Sequence, residues 1–189
     1  MAKSQGSGVG CGMLLEAARS LLLVVDVQAR LLPAMSEPDL VVANSTKLVA
    51  AAKRLAIPVL VSEQYPRGLG PTVEALAGAG TVLAKMSFSC AADPGIAQAL
   101  ERVGRRQIVL CGIESHVCVL QTAIGLRAKG YDVAVVWDAV SSRKQADKDL
   151  AAERLRANGV WLIGTEMAVF EWLGVAGTPE FKELSALIK

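Results

Sequence analysis

The sequence predicts an α/β fold built on a mostly parallel, six-stranded sheet. Short apolar runs rich in β-branched residues alternate along the chain with segments of helical period. Several of these runs are apolar throughout, which is typical of strands that helices cover on both faces. Parallel strands in this order imply right-handed crossover connections.

The elements follow one another in a regular order. The first strand is a run of aliphatic residues that ends on Asp26, and a helical segment follows it. Pro94 at the start of one helix, with Gly130 and Gly159 after two others, fits the preferences of helix ends. The predicted strands are residues 21–26, 58–62, 81–85, 107–111, 132–137 and 160–163. The predicted helices are residues 40–55, 94–103, 117–129, 146–157, 165–172 and 179–188, and loops 64–71, 87–93 and 141–143 follow strand ends.

Composition indicates one globular domain. The chain has 189 residues, 52% of them hydrophobic, so we expect residues 13–189 to enclose one sizeable core. The formal net charge of +2 gives no nucleic-acid footprint, and the apolar runs are far shorter than a membrane span. Residues 1–12 are rich in Gly and Ser, so we expect a flexible tail or an expression remnant. The four cysteines show no disulfide framework, which favours the reducing cytoplasm.

Three chemically reactive side chains stand at or just after strand ends. Asp26 ends the first strand, Lys85 ends the third, and Cys118 follows the fourth at the start of a predicted helix. The carboxyl ends of parallel strands share one edge of a sheet, so these residues can converge on one crevice. A helix N-terminus and a nearby ammonium both lower the pKa of a thiol, so we expect Cys118 to ionise near neutral pH. Together, a nucleophile, a base and a cation meet the needs of covalent acyl transfer.

Each of these residues also has an ordinary structural interpretation. Cys118 could be a small buried hydrophobe. Asp26 could cap a helix or bind a metal ion. Lys85 could be a surface lysine whose stem lies along a strand end. His116, the chain's one histidine, precedes Cys118 by two residues, which leaves a catalytic and a structural role open.

The motifs around these residues resemble those of the isochorismatase-like cysteine hydrolases, which include nicotinamidases and N-carbamoylsarcosine amidohydrolase. The resemblance rests on Leu-Val-Val-Asp26-Val-Gln28, on Lys85 before Met-Ser-Phe-Ser, and on Cys-Gly112-Ile-Glu-Ser-His-Val-Cys118. It extends from residue 21 to about residue 164, and motif order, strand placement and spacing agree together. The chain looks most similar to the subgroup of isochorismatase domain-containing proteins, which share the Glu-Gln-Tyr-Pro and Gly-Ile-Glu-x-His-Val-Cys runs.

The resemblance implies a three-layer αβα sandwich with a Rossmann-like topology and a catalytic triad of Asp26, Lys85 and Cys118. It also implies a non-proline cis peptide between Ile113 and Glu114. The backbone N–H groups of Glu114 and Cys118 would then form an oxyanion hole, which stabilises developing negative charge. Because the family commonly forms dimers and larger assemblies, we expect a homo-oligomer.

Two departures from family patterns narrow the expected reaction. Zinc-binding nicotinamidases have an Asp-x-His and a further His after the second strand, where this chain has Ser62-Glu-Gln-Tyr-Pro-Arg67. We therefore expect no metal and no other cofactor. True isochorismatases lack a cysteine nucleophile, so Cys118 argues against vinyl-ether cleavage. The expected reaction is hydrolysis of a C–N bond in a small amide or ureido compound through a thioester on Cys118.

Polar and aromatic residues at strand ends and in loops are predicted to line the substrate pocket, although loop packing or capping would use the same residue types. They are Gln28, Gln64, Tyr65, Phe88, Glu114 and Ser115.

A rival to the hydrolase hypothesis is a catalytically silent scaffold or binding protein. Such a protein would be marked by an occluded pocket or an unreactive thiol. Dinucleotide binding fails because the N-terminal glycines precede the first strand. A receiver-like domain fails because no acidic cluster adjoins Asp26.

Overall fold

One parallel sheet organises the structure, a computed structural model that describes residues 14–188. The strands are β1 (Ser20–Val25), β2 (Val59–Gln64), β3 (Thr81–Lys85), β4 (Gln107–Ile113), β5 (Asp132–Ser141) and β6 (Trp161–Ile163). They lie in the order β3-β2-β1-β4-β5-β6, and neighbouring strands are parallel throughout. The predicted α/β fold with a mostly parallel six-stranded sheet is confirmed.

Helices cover both faces of this sheet. The helices are α1 (Pro38–Arg54), α2 (Pro66–Leu69), α3 (Pro94–Val103), α4 (Leu120–Ala128), α5 (Gln145–Ala157), α6 (Thr165–Leu173) and α7 (Pro179–Leu187). Successive side chains of β1 enter opposite cores: Leu22 and Val24 join α1, α6 and α7, whereas Leu21 and Leu23 join α3, α4 and α5. Alternate side chains of a strand point to opposite faces, so a strand buried on both sides must be apolar throughout. The predicted αβα layering is confirmed.

The chain departs from the predicted elements near the carboxyl edge of the sheet. Residues Ser115–Val119 form a π-helical turn, and α4 begins only at Leu120. β5 continues to Ser141, because its pairing with β4 shifts register past Leu110 and the strand resumes after a bulge. Residues 66–69, predicted to be loop, form one helical turn with proline in its first position. Bulges and π turns disrupt the regular periods on which sequence patterns depend.

Two expectations concern the chain's ends and its surroundings. The tail predicted for residues 1–12 lies outside the described residues. Within residues 14–188, no helix is long and apolar enough to cross a membrane.

Candidate active site

The three residues predicted to converge do so at the carboxyl edge of the sheet. Asp26 directly follows β1, Lys85 is the last residue of β3, and Cys118 lies in the π-helical turn after β4. Since β2 separates β1 from β3, the Lys85 side chain extends past the end of β2 to reach Asp26. The Cys118 thiol is near enough to the Asp26 carboxylate for that carboxylate to raise the pKa of the thiol. Asp26 is therefore the centre of the cluster.

Asp26 presents a fully buried carboxylate from an uncommon backbone conformation. Its φ of 52° lies in the left-handed region, which non-glycine residues adopt where the surrounding structure enforces it. Its Oδ1 accepts a hydrogen bond of 2.7 Å from the Ser62 hydroxyl, and its Oδ2 accepts one of 2.8 Å from Lys85 Nζ. Both carboxylate oxygens are thus oriented in the free protein.

Lys85 is buried completely and its ammonium is surrounded by acceptors. Besides Asp26 Oδ2, Nζ lies 2.7 Å from Gln64 Oε1, 3.2 Å from the Ser87 carbonyl and 3.1 Å from the Phe88 carbonyl. An ammonium has three protons to donate, so these four acceptors saturate it. The alternative interpretation of Lys85 as a surface lysine is wrong, since its side chain is 0% exposed.

Gln28 supports this network and offers no polar group to a ligand. Its side chain is buried, with Nε2 donating to the carbonyls of Gln64 and Gly70 at 3.0 and 2.6 Å. Its Oε1 accepts a 2.8 Å hydrogen bond from the Gln64 N–H. Gln64 in turn donates from Nε2 to the Met86 carbonyl at 2.9 Å. The Gln28 amide is thus occupied in holding the Gln64 backbone, and its pocket role stays a prediction.

The surroundings of Cys118 favour its neutral thiol form. Burial raises the pKa of Cys118 above its ordinary value, and the Asp26 carboxylate raises this pKa further as a nearby charge and a hydrogen-bond acceptor. Lys85 acts in the opposite direction, but its charge is already matched by Asp26. The expectation that Cys118 ionises near neutral pH is therefore wrong. Cys118 as a whole residue is 5% exposed.

The segment that leads to Cys118 is closely fitted against β1. The peptide between Ile113 and Glu114 is cis, at the position that the family resemblance implies. Gly112 has a φ of 112°, and a Cβ there would lie 2.0 Å from the Val25 carbonyl oxygen, so only glycine fits. Glu114 is 7% exposed, and its Oε2 accepts a 3.0 Å hydrogen bond from Arg143 Nε. Its carbonyl accepts from the N–H groups of Val117 and Val119, both at 3.1 Å, which fixes the turn.

The other predicted pocket residues divide into two groups. Tyr65 and Phe88 are exposed, at 48% and 54%. The Tyr65 N–H donates to the Lys85 carbonyl, and the Phe88 carbonyl accepts from Lys85 Nζ. Ser115 is fully buried, and its Oγ has no hydrogen-bond partner among the described residues. His116 Nδ1 lies 2.9 Å from Ser142 Oγ, which ties the π-helical turn to the end of β5. Tyr65 and Phe88 are thus available to a ligand, whereas Ser115 is enclosed.

Sequence reasoning missed Ser62 and Arg143 as functional candidates. Ser62 pairs in register with Val25, the residue before Asp26, so its hydroxyl lies beside the carboxylate. That register is a consequence of strand pairing, which the sequence pattern does not specify. Within residues 14–188, no three or more histidine, cysteine, aspartate or glutamate side chains are grouped so that they could hold a metal ion.

Comparison with known protein families and with individual proteins relates this chain to proteins that contain an isochorismatase domain. A model of the isochorismatase domain matches residues 20–167. The chain belongs to the isochorismatase family. Isochorismatase domain-containing protein 2 of Xenopus laevis is 40% identical over 172 residues, which are 89% of this chain and 83% of that protein. Membership of this family supports a hydrolase-like fold for the chain.

Two solved structures extend the comparison. The MAR1 ribonuclease from Caenorhabditis elegans is 34% identical, with a TM-score of 0.87, and the match covers 93% of this chain and 92% of that one. The YcaC gene product from Escherichia coli, an octameric hydrolase of unknown specificity, has a TM-score of 0.89 at 23% identity. That match covers 95% of this chain and 92% of the other, and it shows the shared fold.

Proposed function

We propose that this isochorismatase-family protein is a metal-independent cysteine hydrolase that cleaves a C–N bond of a small amide or ureido compound. The observation that carries the proposal is the buried Asp26–Lys85 ion pair, whose carboxylate also raises the pKa of the Cys118 thiol. A nucleophile beside a base that a third group orients is the arrangement of covalent acyl-transfer enzymes. The alternatives, a helix cap for Asp26 and an inert packing role for Cys118, leave this contact without a purpose.

Acylation begins with a neutral thiol, because burial and Asp26 hold the Cys118 proton in place. As the sulfur attacks the substrate carbonyl carbon, its proton passes to Asp26. The carbonyl oxygen becomes an oxyanion, which the backbone N–H groups of Glu114 and Cys118 stabilise. Asp26 then protonates the leaving nitrogen, the C–N bond breaks, and a thioester remains on Cys118.

Deacylation uses the same carboxylate in the reverse sense. Once the amine has left, Asp26 accepts a proton from a water molecule as its oxygen attacks the thioester carbonyl. The C–S bond breaks, the acid is released, and the thiol regains its proton from Asp26. Lys85 and Ser62 hold both carboxylate oxygens throughout, so the base keeps its orientation between the two half-reactions.

The surroundings set the class of substrate and assembly that we propose. Tyr65 and Phe88 supply exposed aromatic surface beside the edge where Lys85 lies, which suits a small molecule with an apolar part. We propose no cofactor and no nucleic-acid partner. We also propose a homo-oligomer, which the octameric state of the E. coli relative supports.

Acyl transfer to Cys118 tests the proposal without knowledge of the substrate. The folded protein is mixed with p-nitrophenyl acetate, quenched in acid and weighed intact, and the acetylated peptide is identified. Ammonia release is then measured with a panel of small primary amides and ureido compounds. We expect the acetyl group on Cys118, and we expect Cys118→Ala to lose both acetylation and ammonia release.

Cys111→Ala is the matched control, because Cys111 is fully buried in β4 and takes no part in the Asp26 network. Unchanged turnover in Cys118→Ala would contradict the mechanism. RNA belongs in the panel because the C. elegans relative is a ribonuclease. Cleavage of RNA that requires Cys118, with no amide turned over, would replace the proposed substrate class.

A catalytically silent scaffold is the second candidate, and the 5% exposure of Cys118 with its raised pKa favours it. In that case Cys118 stays unacylated in the folded protein and reacts only after denaturation. The acetylation experiment separates the two candidates, since an assembled nucleophile reacts in the native state.

A further inference from the structure

A second cavity lies at the carboxyl edge of the sheet, away from the triad, where β5 and β6 end. This β5–β6 groove has a volume of about 400 Å³, and none of Asp26, Lys85 and Cys118 lines it. Its apolar walls come from three different elements: Leu40 of α1, Leu162 of β6 and Met167 of α6. Leu40 and Met167 are among the exposed large hydrophobic residues, at 42% and 51%. The groove therefore offers an apolar surface to a ligand.

Lys148 places a buried ammonium in this groove. Its side chain is 7% exposed, and Nζ lies 5.5 Å from the centroid of the Trp137 ring. Its one hydrogen-bond partner among the described residues is Glu37 Oε2, at a long 3.4 Å. An ammonium has three protons to donate, so two of them have no acceptor in the described part of the chain. Burial makes unused donors on a charged group costly, and an anionic ligand would supply the missing acceptors.

Charged groups of both signs surround Lys148 in and beside the groove. Arg156 contributes a second cation to the lining. The one carboxylate in the lining, that of Asp138, is engaged at the start of α6: Oδ1 accepts from Thr165 N and Thr165 Oγ1, both at 2.8 Å. Glu37, which faces Lys148 from the rim, is 46% exposed and can turn toward solvent. The lining itself thus holds two cations and one carboxylate, so an anion that takes the place of Glu37 would face both cations.

We propose that the β5–β6 groove is a second small-molecule site, which binds an organic carboxylate with an apolar body. The ligand carboxylate accepts hydrogen bonds from Lys148 in place of Glu37, and Arg156 adds attraction. The apolar body lies against Leu40, Leu162 and Met167. No bond is made or broken at this site, because the groove contains no side chain of the triad.

Calorimetric titration with phenylacetate tests the proposal, with phenylacetamide as the neutral control of the same shape. Both titrations use a Cys118→Ala background, so that hydrolysis at the triad cannot contribute and failure of the proposed function has no effect on the result. We expect phenylacetate to bind and phenylacetamide to bind far more weakly. Lys148→Met should weaken phenylacetate binding by about tenfold or more, the range expected when a hydrogen bond to a charged group is lost.

Glu37→Gln is the most decisive variant, because it is the one expected to increase the affinity for phenylacetate. It removes the carboxylate that competes for Lys148, so phenylacetate should bind more tightly than to the parent protein. Arg156→Gln, at an exposed position, should weaken binding less than Lys148→Met and provides a second variant if the latter melts early. Quenching of Trp137 fluorescence, absent in Trp137→Phe, should report the same affinities.

Three results would overturn the proposal. They are equal binding of acid and amide, binding that Lys148→Met leaves unchanged, and no binding of phenylacetate to the folded parent protein. Loss of the oligomer in Lys148→Met without any phenylacetate binding would assign the groove to a subunit contact instead.

Discussion

Lys85 and Lys148 are both buried lysines at the same edge of the sheet, but their ammonium groups have opposite surroundings. Lys85 has four acceptors within 3.2 Å, one of them a fully buried carboxylate. Lys148 has one, a half-exposed glutamate at 3.4 Å, together with the face of Trp137. Burial alone therefore does not define the role of a lysine. The ammonium of Lys85 has all its protons engaged by groups of the protein, whereas the ammonium of Lys148 has protons left to donate to a ligand.

The same contrast predicts how each lysine contributes to stability. Removing one partner of a buried ion pair leaves the other as an uncompensated charge, which is strongly destabilising. Asp26 would be left in this state without Lys85, because its side chain is 0% exposed. Glu37 would simply be hydrated without Lys148, because its side chain is 46% exposed.

Lys85→Met should have the largest effect of any change discussed. We expect the free energy of unfolding to fall by about 3 to 5 kcal/mol, and turnover to be lost, because the Asp26 carboxylate is left buried and unpaired. Lys148→Met should alter the free energy of unfolding by less than about 1 kcal/mol, since the charge left behind is solvated. Urea unfolding followed by circular dichroism measures both values. Equal losses in the two variants would contradict the distinction between the two lysines.

Asp26→Asn should move the ionisation of Cys118 in a defined direction. Asp26 raises the pKa of Cys118 both as a charge and as a hydrogen-bond acceptor, while Lys85 lowers it. Removing the carboxylate therefore lowers the pKa, so the thiolate forms at lower pH. Alkylation by iodoacetamide, followed residue by residue with peptide mass spectrometry, should show a midpoint above about 8.5, the ordinary thiol value, in the parent protein and a lower midpoint in the variant.

Cys111 is the internal control for this experiment. Burial raises its pKa to about 12, with no contribution from Asp26, so its alkylation profile should be the same in both proteins. A Cys118 midpoint that stays unchanged or rises in Asp26→Asn would mean that the thiol does not contact the carboxylate.

Much of the fold and part of the site could be predicted from the sequence, because both depend on strong local patterns. Runs of aliphatic residues mark strands that are buried on both faces, and the charged residues at or just after the ends of β1 and β3 mark the edge that holds the candidate site. Asp26, Lys85 and Cys118 were recognisable because each stands at or just after the end of such a strand. The aromatic rings of Tyr65 and Phe88 were placed at this edge by the same reasoning.

What could not be predicted depends on strand register and on burial. Gln28 was assigned to the pocket by its position after β1. In the structure its amide makes hydrogen bonds to backbone groups of Gln64 and Gly70. The pKa of Cys118 was predicted from a helix N-terminus, but the residue lies in a π-helical turn where burial and Asp26 dominate. Lys148 was unremarkable in the sequence, because only tertiary packing shows that its side chain is buried and lines the groove.

Ser62→Ala should give the smallest of the effects, and it sharpens the comparison of saturated and unsaturated groups. The change removes the 2.7 Å hydrogen bond to Asp26 Oδ1 and leaves Lys85 in place. The carboxylate stays paired with Lys85 but loses one of the two hydrogen bonds that orient it. We expect a loss of about 1 to 3 kcal/mol in the free energy of unfolding, less than for Lys85→Met, and slower turnover with little change in KM. Ser45→Ala is the matched control, because the Ser45 hydroxyl is equally buried but has no hydrogen-bond partner within residues 14–188. If both serine variants lost the same stability and left turnover unchanged, the Ser62 hydroxyl would be a packing group, and the orientation of Asp26 would depend on Lys85 alone.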